Sequence, residues 1–421
     1  LLPLLLPLSF ANGETLITPQ YDPFYQDIKL KDRLDTSDRI SQRDSIRNQA
    51  INYTKRKSIS LIGVRKNNNG KGKNRFYKPE NFDFSYAYNE LEHRDYEIEK
   101  QQEMNLILGA NYGYSFNSKS IEPFRNNKYF NSKKYWKWLQ QLNFNLVPSS
   151  IEGASNINRI LNNQKFRQVY LEGTDASLQR SLPNLQQRNF LFDYNYALSH
   201  NFSRSLRFNF NAATSSIIRQ NADINSGDIQ KTNNNQRILW QNILNTGEPN
   251  SHFQSLALNY KLPFQYIPFL SFIDATYNYT GNFNWQRGSE ALAGVKSDDG
   301  LELGLVNTIQ NNNTKTITGA LSFSRLYSAL GLKSIKNRSW SGPKSIKVGD
   351  STKKKNTILK KSLTRLVDVL TAIKRVQASY NENNGSVLPG YLPSVGFAGG
   401  LKPTLGYTLG SQADIRYEAA R

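Results

Sequence analysis

The 421-residue chain contains no cysteine and a single methionine. Without cysteine it can form no disulfide, no thiolate zinc site and no cysteine nucleophile. It also lacks any apolar run approaching the roughly 18 to 20 residues that a membrane-spanning helix needs. The sequence therefore gives no signal for a helical membrane protein, although a hydropathy test of this kind does not register strands that cross a membrane.

Acidic residues are scarce beside basic ones: 33 Asp and Glu against 54 Lys and Arg give a formal charge of +21. Such an excess is typical of proteins that meet nucleic acid or an anionic lipid surface. Aromatic residues, in contrast, are abundant, with 23 Tyr, 22 Phe and 5 Trp, although the mean hydropathy is only −0.62. Tyr and Phe beside much Asn, Ser and Thr is the composition of a transmembrane β-barrel, whose strands have one apolar and one wet face.

Apolar and polar residues alternate along many segments. In residues 106–116 every second residue is apolar or aromatic, and those between are mostly Asn, Gly and Ser. Because successive side chains of a strand point to opposite faces, this spacing predicts a two-faced strand of roughly membrane-spanning length. Other alternating segments bring the predicted total to about ten strands. They are residues 82–88, 142–146, 190–198, 206–212, 256–262, 273–285 and 317–323, with weaker ones at 58–65 and 375–381.

These features predict an all-β fold, namely part of an antiparallel transmembrane β-barrel with long loops and one or two short amphipathic helices. Tyr277, Tyr279 and Trp285 are expected where a strand crosses the lipid headgroup region. A soluble β-sandwich is disfavoured because the polar faces carry few charges. Long polar stretches predict loops at residues 89–102, 223–250 and 286–313, and a tight turn is predicted at 262–272.

Two segments depart from the alternation. Residues 37–52 predict a short polar helix, and the spacing of Leu359, Leu363, Leu366, Leu370 and Ile373 predicts an amphipathic helix. Lysine-rich residues 333–361 flank the latter and could bind an anionic partner, but are interpreted as a solvated loop. A smaller basic cluster is interpreted as a loop tip and comprises Arg65, Lys66, Lys71, Lys73 and Arg75.

The sequence accordingly predicts four regions. They are a leading segment with a polar helix (1–57), barrel strands with long loops (58–330), a basic segment with an amphipathic helix (331–371), and a strand followed by a Gly/Pro-rich loop (372–421). The run LLPLLLPL at residues 1–8 is interrupted by Pro3 and Pro7 and is expected to lie inside a longer polypeptide.

No catalytic, metal-binding or cofactor-binding constellation is evident, and we expect no enzyme activity and no cofactor. His93, His200 and His252 are far apart in sequence, and none has a second histidine four residues on. Glu97 lies four residues after His93, in a stretch so rich in charge that the spacing carries no weight. Phosphate-binding and dinucleotide-binding glycine motifs are not found.

Several short motifs, taken in order, resemble one protein family. They include YDP at 21–23, YTKRKS at 53–58, VRK at 64–66, ENF at 80–82, SYAY at 85–88, LNFNLVPSS at 142–150, YNENNGSVLPGYLP at 380–393, GSQ at 410–412 and RYEAA at 416–420. The ordered set is similar to the outer-membrane translocon family called SprA or Sov, of the type IX secretion system. The similarity runs from about residue 20 to the end, fades at 155–185 and 286–312, and does not include 333–361.

This resemblance implies an outer-membrane location and a single-chain barrel whose wide pore exports folded cargo proteins that carry a C-terminal secretion domain. It also implies a smaller outer-membrane barrel partner, a periplasmic plug protein, contact with outer-membrane lipid, and a role in gliding motility. The family-signature residues are expected to be structural, with Gly385, Pro389, Gly390 and Pro393 shaping a turn. The whole set is Asn381, Gly385, Leu388, Pro389, Gly390 and Pro393.

The chain could supply about ten strands, whereas the largest known barrels have about 36. We therefore expect it to be a piece, or a shortened relative, of a larger barrel, because unpaired strand edges are costly in lipid. Three alternatives stay open. One is a porin or other outer-membrane transport barrel, and another is a soluble, basic nucleic-acid-binding β protein. The third is a surface adhesin or structural barrel with no transport role. The regular aromatic strand faces, set apart from the basic loops, disfavour nucleic acid as a partner.

Overall fold

The structure is a computed structural model, which describes most of the chain. The described residues are 4–37, 39–67, 75–117, 120–125, 142–167, 182–219, 239–267, 269–289, 306–330, 373–396 and 401–416. The predicted amphipathic helix before Ile373 and the basic segment 333–361 lie outside these ranges, as do Lys71 and Lys73.

The described part of the chain consists mainly of strands. The first seven strands are β1 (Leu4–Leu5), β2 (Leu8–Ile17), β3 (Asn52–Lys66), β4 (Phe82–Arg94), β5 (Ile98–Ser115), β6 (Ser120–Ile121) and β7 (Phe144–Asn145). The next seven are β8 (Ser150–Phe166), β9 (Leu185–Asn201), β10 (Leu206–Ile217), β11 (Glu248–Leu262), β12 (Ile273–Gln286), β13 (Asn307–Leu321) and β14 (Val376–Tyr391). The helices are α1 (Leu30–Asp35), α2 (Ile40–Ala50), α3 (Phe323–Ala329) and α4 (Leu405–Thr408), with 3-10 turns at Pro79–Asn81 and Pro263–Tyr266.

Twelve of these strands form one sheet, in the order β1-β3-β4-β5-β8-β9-β10-β11-β12-β13-β14, and β2 also pairs with β3. Strands β6 and β7 form a separate pair. Every pair of neighbours whose register is defined runs antiparallel. The predicted all-β, antiparallel class is confirmed, and within the described residues the order is an open path and not a closed ring.

The structure corrects the expectation of a long loop at residues 89–102. Strand β4 continues to Arg94 and β5 begins at Ile98, so three residues join them. The strand ends were missed because they are charged: Glu90 and Glu92 continue the alternation that begins with Phe82. Strand pairing accommodates these charges, since Lys57 Nζ lies 3.8 Å from Glu90 Oε2 on the neighbouring strand.

Other strands also differ from prediction. Strands β2 and β8 were not predicted, and only Phe144–Asn145 of the segment 142–146 is a strand. Strand β13 begins at Asn307, ten residues before the predicted start and within the expected loop 286–313, whereas Phe323 begins helix α3. The first half of β13 reads NTIQNNNT, and so polar a stretch has too little apolar alternation to be detected.

The predicted polar helix at 37–52 is confirmed as α2. It contacts α1, where buried Leu30 packs with Ile46 and Ala50 of α2. The predicted tight turn at 262–272 is also confirmed by the 3-10 turn that follows β11. Among the described residues, no helix has the length and apolar character needed to cross a membrane.

The chain divides into two compact units. The first comprises residues 1–115, 151–196 and 212–252, and the second comprises 116–150, 197–211 and 253–421. The core of the first unit consists of Met104, Leu106, Leu161, Phe190, Ile218 and Leu239. The core of the second consists of Phe283, Trp285, Ile309, Tyr391, Val395, Tyr407 and Ile415.

Candidate functional surface

One face of strands β12–β14, in the second unit, is mainly polar and carries no charge from the row of Thr276 to the row of Asn284. The apolar Val387 lies beside Gln310, and the charged Asp274 occupies the row before Thr276. The register places Thr280, Thr314 and Asn383 in one row across the three strands. Hydrogen bonds cross these strands, for example from Asn282 Nδ2 to Asn312 Oδ1 at 2.7 Å. We call this surface the small-polar face. Its residues are Thr276, Asn278, Thr280, Asn282 and Asn284 of β12, Gln310, Asn312, Thr314, Thr316 and Thr318 of β13, and Ser379, Asn381, Asn383 and Gly385 of β14.

The opposite face of the same strands is aromatic on β12, carries polar residues and the Lys315–Glu382 ion pair on β13 and β14, and is partly covered. Phe283 and Trp285 are 0% and 1% exposed, because residues 392–396 and 401–416, which we call the covering segment, pack against them. Tyr407 of that segment meets the Phe283 ring edge-on at 6.1 Å between centroids. The indole Nε1 of Trp285 donates to Pro393 O at 3.1 Å, so the expectation that Trp285 meets lipid headgroups is wrong.

The covering segment is held by its main-chain carbonyls. The five consecutive carbonyl oxygens of residues 407–411 each accept a hydrogen bond from a side chain on the sheet. These carbonyls lie at and after the end of helix α4, where a helix leaves its last carbonyls without intrahelical partners. The donors are Asn311 (to Tyr407 O, 2.9 Å, and Ser411 O, 2.7 Å), Gln254 (to Thr408 O, 2.6 Å), Tyr279 (to Leu409 O, 2.7 Å) and Asn313 (to Gly410 O).

Two glycines allow this close approach. A methyl group on Gly281 of β12 would lie 2.0 Å from Leu409 O, and one on Gly410 would lie 2.8 Å from Gly281 Cα. Gly410 also has a φ of +98°, in the region that favours glycine. The sheet and the covering segment therefore fit together at a point where neither tolerates a side chain.

Strands β3–β5 of the first unit show the same two faces. The register places Leu61 beside Tyr86 and Leu108 on one face, which we call the aromatic face. The other carries small polar residues together with apolar and charged ones, namely Ser58, Ser60, Ser85, Asn89, Asn105, Gly109 and Asn111, with Ala87, Leu91, Ile107, Arg56, Asp83 and Glu103. On β4, Phe82 and Phe84 are 37% and 52% exposed. The charged Asp83 between them is half-buried. Large apolar side chains thus lie open on this face.

A short turn covers one part of this aromatic face. Leu239 is fully buried in the first core, and the Trp240 ring stacks on Tyr86 with 6.2 Å between centroids. Arg159 of β8, 1% exposed, holds the turn through its guanidinium. It donates to the carbonyl oxygens of Leu239 (2.7 Å), Gln241 (2.7 Å) and Asn242 (2.8 Å). Both units therefore hold a turn to the sheet through its carbonyls. Sequence reasoning found neither Arg159 nor Asn311.

The family-signature residues lie along strand β14, not in a turn. Asn381, Gly385, Leu388, Pro389 and Gly390 are all part of this strand, so the predicted turn is wrong for Gly385, Pro389 and Gly390. Gly390 has a φ of +90° and is the extra residue of a β-bulge, since Thr308 pairs with Pro389 while Asn307 pairs with Tyr391. A glycine directly after a proline near a strand end was the available signal.

The remaining signature residue, Pro393, follows the end of β14. Its carbonyl oxygen accepts the indole N–H of Trp285 at 3.1 Å and lies 3.4 Å from Asn307 Nδ2. Asn381 contacts the neighbouring strand, because its Oδ1 accepts a hydrogen bond from Thr316 Oγ1 at 3.1 Å.

The three histidines make separate local contacts. His93 hydrogen-bonds Thr54 Oγ1 at 2.9 Å and lies 3.2 Å from Asp95, not beside Glu97. His200 contacts Asn145 O at 2.9 Å, and buried His252 contacts Thr214 Oγ1 at 2.7 Å. Within the described ranges, no group of three His, Asp or Glu side chains is arranged to hold a metal ion.

The chain matches no protein-family model and no curated protein sequence.

Proposed function

We propose that the chain forms part of the wall of an outer-membrane protein-conducting channel, which exports folded cargo proteins in a type IX, gliding-related secretion system. The observation that carries the proposal is the small-polar face of β12–β14. Its Asn, Thr and Ser side chains carry no formal charge across three neighbouring strands. Such a wall is hydrated and binds passing polypeptide only weakly, because its groups exchange hydrogen bonds with water as readily as with cargo.

The opposite faces support an apolar environment on the other side of the sheet. Phe84 in the first unit and Tyr380 in the second are 52% and 62% exposed. Large apolar groups open to the surroundings, alternating with small polar ones, are expected where strands have lipid on one side and water on the other. The cargo class, the smaller barrel partner and the periplasmic plug protein follow from the resemblance given above.

Because the chain contains no cysteine, a single introduced cysteine can carry a label on either face. Phe84→Cys and Ser85→Cys place a fluorophore on opposite faces of the first unit, and Tyr380→Cys and Ser379→Cys do the same in the second. In reconstituted bilayers, we expect an acyl-chain nitroxide to quench the labels at 84 and 380. The labels at 85 and 379 are expected to escape quenching and to react with a water-soluble maleimide. Equal quenching of both members of each pair would reject a membrane wall.

The transport role requires a separate test in cells of the source organism. A photo-crosslinking residue at Thr314, on the small-polar face, is expected to form adducts with secreted proteins that carry a C-terminal secretion domain. The same residue at Tyr380, on the opposite face of the sheet, is the matched control and is expected to form none. Two results would contradict protein export. One is that the only adducts are with small solute carriers. The other is that neither site forms adducts although the protein is confined to the outer membrane.

A further inference from the structure

The aromatic face of the first unit ends at a cluster of basic residues, which we call the basic tip. It comprises Lys66, Arg75 and Lys78. Lys66 is the last residue of β3, and Arg75 and Lys78 lie in the connection that leads into β4. The only acidic side chain in the short connection from Arg75 to Asn81 is Glu80, so cations outnumber carboxylates here.

The connection is fixed to the aromatic face by hydrogen bonds. Asn81 Nδ2 donates to Arg75 O at 2.8 Å and to Phe76 O at 3.1 Å. Tyr112 OH, on β5, donates to Phe76 O at 2.8 Å. The tip therefore lies at a defined position beside the first residues of β4.

Exposed aromatic rings lie between the basic tip and the apolar rows of the sheet. Phe76 and Tyr77 are 57% and 58% exposed, with their rings edge-on at 5.3 Å. The Arg75 guanidinium carbon lies 5.8 Å from the centre of the Tyr77 ring. On the strand itself, Phe82 contacts the Tyr112 ring at 4.9 Å between centroids.

The order along β4 is charged, apolar, aromatic and then basic. Glu90 and Lys57 lie at the charged end. The two rows of paired residues that contain Tyr88 and Tyr86 form the apolar part, and Phe82 is the aromatic residue next to the basic tip. A lipid layer has the same sequence of environments at its surface, since aromatic side chains favour the headgroup level and basic side chains favour the phosphates beyond it.

Glu80 partly neutralises the tip. A hydrogen bond from Lys66, whose Nζ lies 2.8 Å from Glu80 Oε1, lowers the pKa of this carboxyl below its ordinary value, so it stays charged at neutral pH. Lys78 Nζ lies 4.0 Å from the other oxygen. One carboxylate shared by two lysines leaves the tip with net positive charge, to which Arg75 contributes.

We propose that the basic tip binds the phosphate groups of anionic membrane lipids, with Phe76 and Tyr77 at the boundary of the acyl chains. This inference rests on the proposed function, because it needs the aromatic face to lie in lipid. The charge is suited to phosphate, and the guanidinium of Arg75 can offer paired N–H donors to two phosphate oxygens.

A fluorophore at Pro79→Cys, exposed in the middle of the tip, reports the lipid composition around it. The full chain is reconstituted with headgroup-nitroxide phosphatidic acid or, at the same mole fraction, headgroup-nitroxide phosphatidylcholine. We expect phosphatidic acid to quench the label more strongly, because this lipid is enriched around the basic tip. The enrichment should fall about fivefold for each cation removed. In a Lys66→Gln, Arg75→Gln, Lys78→Gln variant, the two lipids should quench equally.

The matched control removes the same charge elsewhere in the first unit. Lys29→Gln, Lys31→Gln and Arg39→Gln alter three exposed cations beside α1 and α2, and this variant should keep the preference for phosphatidic acid. Loss of the preference in the control as well would show an effect of total charge and overturn the proposal.

Other outcomes also decide the matter. Equal quenching by both lipids in the unaltered tip, while a label at Phe84→Cys is quenched by acyl-chain nitroxide, would overturn this inference and leave the proposed function standing. Absence of quenching at both 79 and 84 would overturn both. Complete competition by inorganic phosphate, or protection of the label by a single-stranded oligonucleotide without lipid preference, would assign the tip to those ligands and reject the lipid.

Discussion

Side-chain amides on the sheet act as donors for the main chain of the covering segment. Asn311 illustrates this, since its Nδ2 donates to both Tyr407 O and Ser411 O and its side chain is buried. Asn312, the next residue, points to the small-polar face and is exposed. Two asparagines in succession therefore have unrelated roles, because neighbouring residues of a strand face opposite sides.

Asn311→Ala should lower the free energy of unfolding by about 2 to 4 kcal/mol, because a buried carbonyl, that of Tyr407, and a part-buried one, that of Ser411, lose their donor. Asn312→Ala, which removes the same group from the exposed face, should cost less than about 1 kcal/mol. Urea unfolding of the full chain in detergent micelles compares the two. Equal losses would mean that the covering segment does not depend on Asn311.

Asp95 gives the turn between β4 and β5 a pH dependence. Partial desolvation raises the pKa of Asp95, but hydrogen bonds from Ile98 N (2.6 Å) and Glu97 N (2.8 Å) and the nearby His93 outweigh it. The pKa is therefore below its ordinary value of 3.8. Because the pKa of Asp95 is lower in the folded turn than in the unfolded chain, the carboxylate stabilises the turn at pH values above the pKa of the unfolded chain. This stabilisation is lost as the pH falls through the pKa of the folded turn.

Hydrogen exchange at the Glu97 and Ile98 amides, corrected for intrinsic rates, should show constant protection from pH 7 down to about pH 4 and a loss below that. Asp95→Asn keeps an acceptor oxygen but does not titrate, so its protection should not change with pH. Protection that declines already near pH 5 in the unaltered chain would contradict the assigned direction of the shift.

At the scale of elements, side chains of the sheet strands fix segments that are distant in sequence. The turn that begins at Leu239 depends on Arg159, and the covering segment depends on Gly281 of β12. Neither contact follows from a periodic pattern, because each joins residues distant in sequence. The sequence predicted β12 and the alternation of its faces, but not that Phe283 and Trp285 would be covered.

Arg159→Met removes three hydrogen bonds to carbonyls while keeping a long apolar stem. It should cost about 3 kcal/mol and free the turn, which the fluorescence of Trp240 reports through loss of its stacking on Tyr86. Lys165→Gln removes a charge from an exposed position of the same strand and should change stability by less than about 0.5 kcal/mol. An unchanged spectrum in the Arg159 variant would show that apolar packing of Leu239 suffices to hold the turn.

Gly281→Ala tests the fit of the covering segment. The added methyl would lie 2.0 Å from Leu409 O, so the segment must move away from the sheet. We expect faster hydrogen exchange and earlier proteolysis within residues 404–412. Gly319→Ala is the control, because nothing lies within 4 Å of a methyl at that position. Similar protection in both variants would contradict the close approach.

At the scale of the whole molecule, the sheet order and the two faces set the expected membrane environment. On β4 the apolar residues of the aromatic face run from Phe82, which is exposed, to Tyr88, which is partly covered. This stretch of seven residues is roughly 20 Å long. The apolar band of an outer-membrane barrel is about 25 Å tall. For the proposed position of the aromatic face in lipid, the apolar band of the first unit is narrower than usual, with Glu90 and Lys57 at its limit.

The full chain should consequently insert in higher yield into bilayers of 12-carbon lipids than into those of 18-carbon lipids, because the mismatch is smaller. The amount resistant to alkaline extraction measures insertion. Ser85→Leu, which places an apolar residue on the opposite face, serves as a comparison that leaves the length of the band unchanged. An identical yield in both bilayers would mean that the stretch 82–88 does not set the thickness of the apolar band.

The sequence by itself determined the all-β class, since alternation at every second residue is a local property that strands such as β5 and β12 carry in their own composition. It also determined the helix at residues 40–50 by its spacing. Only the tertiary structure decided where strands end in charged or wholly polar residues, as at Arg94 and Asn307. At these ends, pairing with neighbouring strands gives the main-chain N–H and C=O groups their hydrogen-bond partners, whatever the side chains are.

The tertiary structure alone also decided which part of each aromatic face is covered. Asn311 and the carbonyls it binds are about a hundred residues apart, as are Trp285 and Pro393. Polar side chains at such separations show no periodic signal, and their partners are main-chain atoms that every residue possesses. The physical reason is that periodicity records which face a residue occupies, whereas contact across the chain depends on how the segments fold back upon the sheet.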